Sequence, residues 1–328
     1  MKSSEILIPL TTETSEFQHL SDREKTFFGN YQKAVQNWQN SHYIDYPQQV
    51  HIETQAICNA KCIFCPYVEL DRRGQRMSDE LFTKIVNDLT AIPADIPFTV
   101  CPFKVSDPIL EKRLPSMIEM LQGKLPNVHI HIATNGQALV EKKIDELSST
   151  RRPFNINVSL NDHRPQVYEE LMSLKFDRTI QNLDILHEKV IRKEFPHPIT
   201  IGRVSGNRED DIEFLEWVST RYPQFEVRIK PAGNWIGNID SRTHSSVLPI
   251  GCLAWFQASI MVTGDVALCC MDAYGEQTFG NVSQQSVLEI YNSPEHRKHR
   301  ESKSRLGLNI CSKCTYPETS SDSRIPMP

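Results

Sequence analysis

No stretch of this chain approaches the roughly 20 apolar residues that a membrane-spanning helix needs. Residues 1–14 lack the basic start, long apolar stretch and small-residue cleavage site of a signal peptide. Basic residues are in deficit: 36 Lys and Arg stand against 41 Asp and Glu, a net charge of −5. A surface with no excess of positive charge argues against nucleic acid or an anionic membrane as a partner. There is no internal repeat and no low-complexity tract. These absences predict a cytoplasmic globular protein, and 328 residues allow one large domain with an appendage or two modest ones. What the chain does have is nine cysteines. Disulfides are disfavoured in a reducing compartment, so metal or cluster ligation is the alternative that their spacing tests.

Residues 1–48 form a polar leader with one helix near 22–40, whose Phe27, Phe28, Tyr31, Val35 and Trp38 fall on one stripe. That stripe predicts a helix capping the main domain. From residue 49 strands and helices alternate. The strands are expected at 50–54, 98–101, 128–134, 154–160, 199–205 and 225–230, and the helices at 78–92, 109–121, 139–147, 179–190 and 210–222. Ser78 is the expected N-cap of the first of these helices, with Asp79 and Glu80 in its first turn. Six strands in such an alternation predict an α/β fold with a parallel sheet, too few for an eight-fold barrel and enough for an open partial (βα)6 barrel, over 49–232. A linker follows at 233–249, then a compact cysteine-rich module at 250–318 with a hairpin around Gly264, and a disordered tail at 319–328.

Cys58, Cys62 and Cys65 lie within eight residues, directly after the first strand. A tetrahedral zinc site wants a fourth ligand, for which His51 is the only nearby candidate. A cubane cluster with three protein ligands instead leaves one iron open, and an open iron can chelate an amino group and a carboxylate.

This Cys-x3-Cys-x2-Cys, with the aromatic Phe64 before its third cysteine and its place after the first strand of a βα series, resembles the radical S-adenosylmethionine superfamily. The resemblance implies a [4Fe–4S] cluster on Cys58, Cys62 and Cys65 that cleaves S-adenosylmethionine to a 5′-deoxyadenosyl radical. It implies that Phe64 lies near the adenine. Where that family often has Gly-Gly-Glu, this chain has Ser106 and Asp107 after the second strand, and these are the expected acceptors for the methionine ammonium. Thr134 and Asn135 end the third strand, and Ser159 and Asn161 the fourth. Both pairs resemble the family's polar contacts to ribose and carboxylate, and both read equally well as turn chemistry. Val204 and Gly206, in Gly202-x-Val204-x-Gly206-x-x-Glu209, resemble the family's apolar wall against adenine.

The C-terminal module resembles the SPASM/twitch extension of that superfamily. Its Cys252, Cys269, Cys311 and Cys314 are too few for two auxiliary clusters and suffice for one fully ligated [4Fe–4S] cluster, with four-cysteine zinc as the alternative. Cys269 and Cys270 can exchange the roles of ligand and spare thiol. Cys101 reads as inert packing. Cys270, beside a ligand, reads as a hydrogen-atom donor.

Two reactions follow from the resemblance. One is oxidation of a carbinol carbon, with Arg203, Arg228 and Lys230 at strand ends to bind or polarise the oxygen. The other is epimerisation, with Cys270 returning hydrogen from the opposite face. The expected substrate is a saccharide, an aminocyclitol or a related small molecule; Trp235 can stack on a sugar face, but tryptophan is usually well buried and the residue reads more readily as a core or linker aromatic. The expected reductant is a flavodoxin or ferredoxin. A peptide-modifying maturase is the alternative, although the 48-residue leader looks short for a peptide-recognition domain. A non-enzymatic zinc or redox module is the alternative from another class, and it would be colourless.

Overall fold

The computed structural model describes residues 21–240 and 247–316. The expected tail, the first 20 residues of the leader and part of the expected linker lie outside the described residues. Six parallel strands run in sequence order: β1 (Gln49–Ile52), β2 (Phe98–Cys101), β3 (Val128–Thr134), β4 (Asn155–Ser159), β5 (Ile199–Val204) and β6 (Glu226–Lys230). They form the open partial barrel that the alternation predicts.

Side chains alternate across a strand, and here the two faces differ in chemistry. Val128, Ile130 and Ile132 of β3 join Val50, Ile52, Phe98, Val100, Ile156, Val158, Ile201 and Ile229 in one core under the helices. The other face carries Gln49, His51, Cys101, His131, Asn157, Arg228 and Lys230. Parallel strands covered on both faces are normally apolar throughout, so a polar inner face marks the concave side as a working surface.

The helices α2 (Asp79–Leu89), α3 (Leu114–Lys124), α4 (Glu141–Ser148), α6 (Phe176–Ile191) and α7 (Arg208–Arg221) cover the outer face. Ser78 caps α2 as expected, its Oγ accepting from the Leu81 N–H at 3.1 Å. Phe82 of α2 is fully buried, and its truncation to Ala would cost roughly 3–5 kcal/mol. One helix was not legible in sequence, α5 (Pro165–Met172), which starts at a proline and stops where Ser173 turns left-handed at φ 55°.

The C-terminal module is not a separate appendage. Its β7 (Gln257–Ile260) pairs in parallel with β1, and β8 (Asp265–Ala267) and β9 (Thr278–Asn281) follow antiparallel, so one nine-stranded sheet runs through both parts. The expected hairpin turns at Gly264, φ +89°, where a Cβ would come within 2.8 Å of the Asn281 side chain. The third strand of this meander is absent from the sequence reading. Two short helices, α8 (Val287–Tyr291) and α9 (Pro294–Glu301), close the module.

The first helix, α1 (Asp22–Gln39), differs from expectation in its partner. Val35, Tyr31 and Trp38 pack on Cys252, Trp255 and Phe256, and Phe27 and Phe28 pack on Leu248 and Ile250. The stripe is real, and the surface it covers belongs to the C-terminal module rather than to the barrel.

Candidate active site and cluster sites

The first three cysteines sit on the loop that leaves β1. That loop is held by α5: the N–H groups of Lys61 and Ile63 donate to the carbonyls of Met172 and Leu171, each at 3.0 Å. Cys58, Cys62 and Cys65 are all half-buried. Burial pushes the Cys58 thiol up to about 12 and the Cys65 thiol up to about 11. Burial also raises Cys62, with Cys65 and Cys58 adding to it. Thiols held protonated in this way are poor ligands until a cation replaces the proton. Asn135 Nδ2 donates to Cys58 Sγ at 3.8 Å and to Asn59 Oδ1 at 2.8 Å. Phe64 lends its carbonyl to the indole N–H of Trp235 at 2.9 Å. Trp235 is thus tied under the cluster loop, packed on Leu70, Val105 and Ala273, and is not a free stacking surface.

The polar strand ends sort into two groups. Asp107 is fully buried and spends both carboxylate oxygens on protein donors: Thr134 Oγ1, the Asn135 N–H and the Ile109 N–H, at 2.9–3.0 Å. Burial raises its pKa against those three donors. This corrects the expectation that Asp107 is a free acceptor, and it makes Thr134 part of the same closed set. Asn161 is likewise committed: Oδ1 accepts from the Val204 N–H at 2.8 Å and Nδ2 donates to Met172 Sδ at 2.9 Å. Ser106 is different, since its hydroxyl is buried with no hydrogen-bond partner among the described residues. Ser159 and Val204 stay half-buried on the inner face. Gly206 donates its N–H to Asp211 at 3.2 Å.

Arg203 does not reach toward a substrate. Its guanidinium is buried and closed by Asp162 at 2.8 Å and Asp211 at 2.7 Å, and it also donates to the Asn161 carbonyl. It is a strut between β5, α7 and the end of β4. Arg228 and Lys230 remain on the inner face and exposed. Burial, then the Arg228 charge, lowers Lys230.

Cys252, Cys269, Cys311 and Cys314, four sequence-distant cysteines, line one cavity, together with Trp255, Ile236 and Arg305. Each thiol is 7% exposed. Trp255 Nε1 donates to Cys311 Sγ at 3.4 Å, and the Tyr31 hydroxyl to Cys252 Sγ at 3.6 Å. Arg305 is buried against carbonyls alone, those of Ile250, Gly251, Cys314 and Tyr316. Sulfur donors and an unpaired buried cation suit a group that is anionic overall. Among the described residues, no three His, Cys, Asp or Glu side chains converge closely enough to hold a single metal ion. Cys270 does not line this cavity. Trp255 and Arg305 escaped the sequence reading, and Tyr31 entered it only as part of an apolar stripe, because a donor aimed at a sulfur or a distant carbonyl leaves no spacing signal.

Two family models match the sequence: the radical SAM superfamily over residues 52–219, and the SPASM iron–sulfur cluster-binding domain over residues 252–315. The chain belongs to the radical SAM superfamily. Its C-terminal domain is of the SPASM type, and [4Fe–4S] clusters and S-adenosylmethionine are the cofactors of these domains.

Solved structures share the fold of this radical SAM chain. One is SuiB of Streptococcus suis bound to the precursor peptide SuiA, with a TM-score of 0.64 and 15% identity, over 90% of this chain and 75% of that one. Another is anSMEcpe with bound AdoMet, with a TM-score of 0.57 and 13% identity, over 77% and 79%. A third is BtrN in complex with AdoMet and 2-DOIA, with a TM-score of 0.52 and 16% identity, over 85% and 94%. No curated protein matches in sequence. Among the described residues, no helix is long and apolar enough to cross a membrane.

Within the radical SAM chain, the polar inner face also holds a short relay. Gln49 Nε2 donates to Cys101 Sγ, Gln257 Nε2 donates to Gln49 Oε1, each at 2.9 Å, and the Cys270 N–H donates to Gln257 Oε1 at 3.2 Å. His51 donates from Nδ1 to the Phe103 carbonyl at 3.3 Å, and its buried Nε2 has no partner. Burial and the charge of Lys104 keep that imidazole neutral, with a pKa of about 3.

Proposed function

We propose that this radical SAM protein acts on a carbinol carbon of a saccharide- or aminocyclitol-like molecule, and that it inverts that carbon with Cys270 as hydrogen donor. Cys58, Cys62 and Cys65 would hold the cluster that binds S-adenosylmethionine, and Cys252, Cys269, Cys311 and Cys314 the auxiliary cluster. S-adenosylmethionine bound there supplies a radical that takes a hydrogen atom from an unactivated C–H bond.

The reading is carried by one observation. Cys270 is half-buried, stays off the four-cysteine cavity, and joins the inner face through Gln257 and Gln49. Burial raises its thiol pKa against the pull of Lys104 and Lys230, so the sulfur keeps its hydrogen. A thiol can give that hydrogen to a carbon radical from the face opposite the abstraction. Restoring Cys270 then takes one electron, which a flavodoxin- or ferredoxin-type reductant supplies, and one proton from solvent.

The match to BtrN spans 94% of that chain, and its bound 2-DOIA supports a small-molecule substrate. SuiB bound to its precursor peptide supports a peptide instead. The test is turnover of matched saccharide, aminocyclitol and peptide panels in D2O, by wild type and Cys270→Ser. One deuterium at an inverted carbon, lost in the serine variant while 5′-deoxyadenosine still forms, supports inversion. An oxidised product indifferent to Cys270→Ser replaces it with oxidation, and turnover of peptides alone overturns the small-molecule reading.

A further inference from the structure

Arginine on the barrel wall is elsewhere neutralised. Arg203 on β5 is closed by Asp162 and Asp211, and Arg72 below β1 is gripped by both oxygens of Glu53, at 2.7 and 3.0 Å. On the next strand, β6, the pattern breaks. Arg228 and Lys230 stand two residues apart on the inner face, and among the described residues neither side chain makes an ion pair or hydrogen bond. Val227 and Ile229, between and beside them, face the core.

The residues in register with this pair on β5 carry no counter-charge. Arg228 lies in register with Gly202, against which the neutral side chain of Asn157 packs, and Lys230 lies in register with Val204. Their charges act on His131 across the wall, which burial together with both cations holds at about 4, and therefore neutral. Lys230 also feels the thiols of Cys270 and Cys101. The one acid on the same face of β6, Glu226, lies two residues before Arg228 and forms no ion pair with either cation among the described residues. His51, 7% exposed, adds a neutral ring whose Nε2 is unpartnered.

Two cations held side by side in a concave wall concentrate a positive field where a substrate would lie. A guanidinium matches the paired oxygens of a phosphate or carboxylate, and an ammonium adds a point charge. We propose that Arg228 and Lys230 bind an anionic group of the substrate, a phosphate ester or a carboxylate, and so orient its reacting carbon toward Cys270. Lysines also occur on edge strands as a guard against aggregation, and β6 is an edge. That role needs only one solvated charge, whereas here a second cation, Arg228, shares the same face of β6. The proposal rests on the small-molecule reading above for the substrate's nature, but the binding of the anion can be tested without it.

The test uses the holoenzyme with both clusters and saturating S-adenosylmethionine, at constant ionic strength. Thermal unfolding is followed with rising inorganic phosphate in one arm and acetate in the other, in wild type, Arg228→Gln/Lys230→Gln and the charge-preserving Arg228→Lys/Lys230→Arg. Stabilisation of wild type by either anion, with at least a tenfold weaker apparent affinity in the glutamine variant and retention in the charge-preserving one, supports the proposal. The stronger arm assigns phosphate or carboxylate. Equal responses in wild type and the glutamine variant, or none in wild type, overturn it. So does a loss of S-adenosylmethionine affinity in the glutamine variant without a change in anion response, since the cations would then serve the cofactor's carboxylate. None of these readouts requires turnover, so failure of the inversion chemistry would leave the result standing.

Discussion

Lys104 donates its ammonium to the carbonyl of Cys269 at 2.9 Å and to Ser259 Oγ at 2.8 Å. The lysine is buried on the loop after β2, and it joins the barrel to the rim of the four-cysteine cavity. Burial lowers its pKa, and Asp272 and Cys269 oppose the shift. Glu53, the other nearby carboxylate, is already occupied by Arg72. Arg305 lines that cavity and Lys104 holds the carbonyl of one of its cysteines, so two buried cations lie near it. Four thiolates around a cubane would give Arg305 the negative partner it otherwise lacks and add to the pull of Asp272 on Lys104.

A cation beside a cluster favours its reduced, more negative state. Lys104→Met should therefore lower the midpoint potential of the auxiliary cluster. The measurement is an EPR-monitored redox titration in a Cys58/Cys62/Cys65→Ala background, where only that cluster remains. An unchanged potential would show that the Lys104 charge does not reach it.

Trp255→Phe keeps the buried ring and removes the N–H that donates to Cys311 Sγ at 3.4 Å. Hydrogen bonds to cluster sulfurs raise reduction potentials. The same titration should show a smaller drop than Lys104→Met gives, with iron content unchanged.

The cavity lining separates adjacent cysteines. Cys269→Ala should lose the auxiliary cluster, and Cys270→Ala should retain it. Iron analysis with Mössbauer spectroscopy should find about eight irons in wild type and in Cys270→Ala, and about four both in Cys269→Ala and in Cys58/Cys62/Cys65→Ala. Loss of iron in Cys270→Ala alone would exchange the two roles.

Asp162 tests the strut beneath the site. Burial alone would raise its pKa, yet hydrogen bonds from Arg164 and Arg203 hold it at about 2. Its folded pKa lies below the unfolded value of about 3.9. Its stabilising contribution is therefore complete above about pH 4 and fades as pH falls toward 2. Asp162→Asn should cost about 2–4 kcal/mol at pH 7, since it leaves buried Arg203 short of a partner. Urea unfolding across pH should show the gap to wild type closing in the acid range. A constant gap would mean that the carboxylate charge is not what matters.

Periodicity and spacing carried much of this protein. Alternating apolar residues such as Val128, Ile130 and Ile132 define strands because one face must be buried, and all six barrel strands were legible for that reason. The Cys58, Cys62 and Cys65 loop was legible because its ligands are neighbours in sequence. The helix α5 was not, since it spans barely two turns from Pro165 and gains its stability from packing Tyr168 and Met172. Nor was the partner of α1: an apolar stripe records that a face is buried and not what covers it.

The sequence by itself determined the cysteine sets, the order of the βα units and the chemistry of the first cluster loop, all of which rest on local spacing. Only the tertiary structure decided which polar residues remain available. Asp107, Asn161 and Arg203 look as free in sequence as Ser106, Arg228 and Lys230. The difference lies largely in donors and acceptors brought from distant positions, such as Asp211 to Arg203, eight residues on, and Val204 to Asn161, 43 residues on. A side chain's hydrogen-bonding capacity is finite, and only packing in three dimensions decides where it is spent.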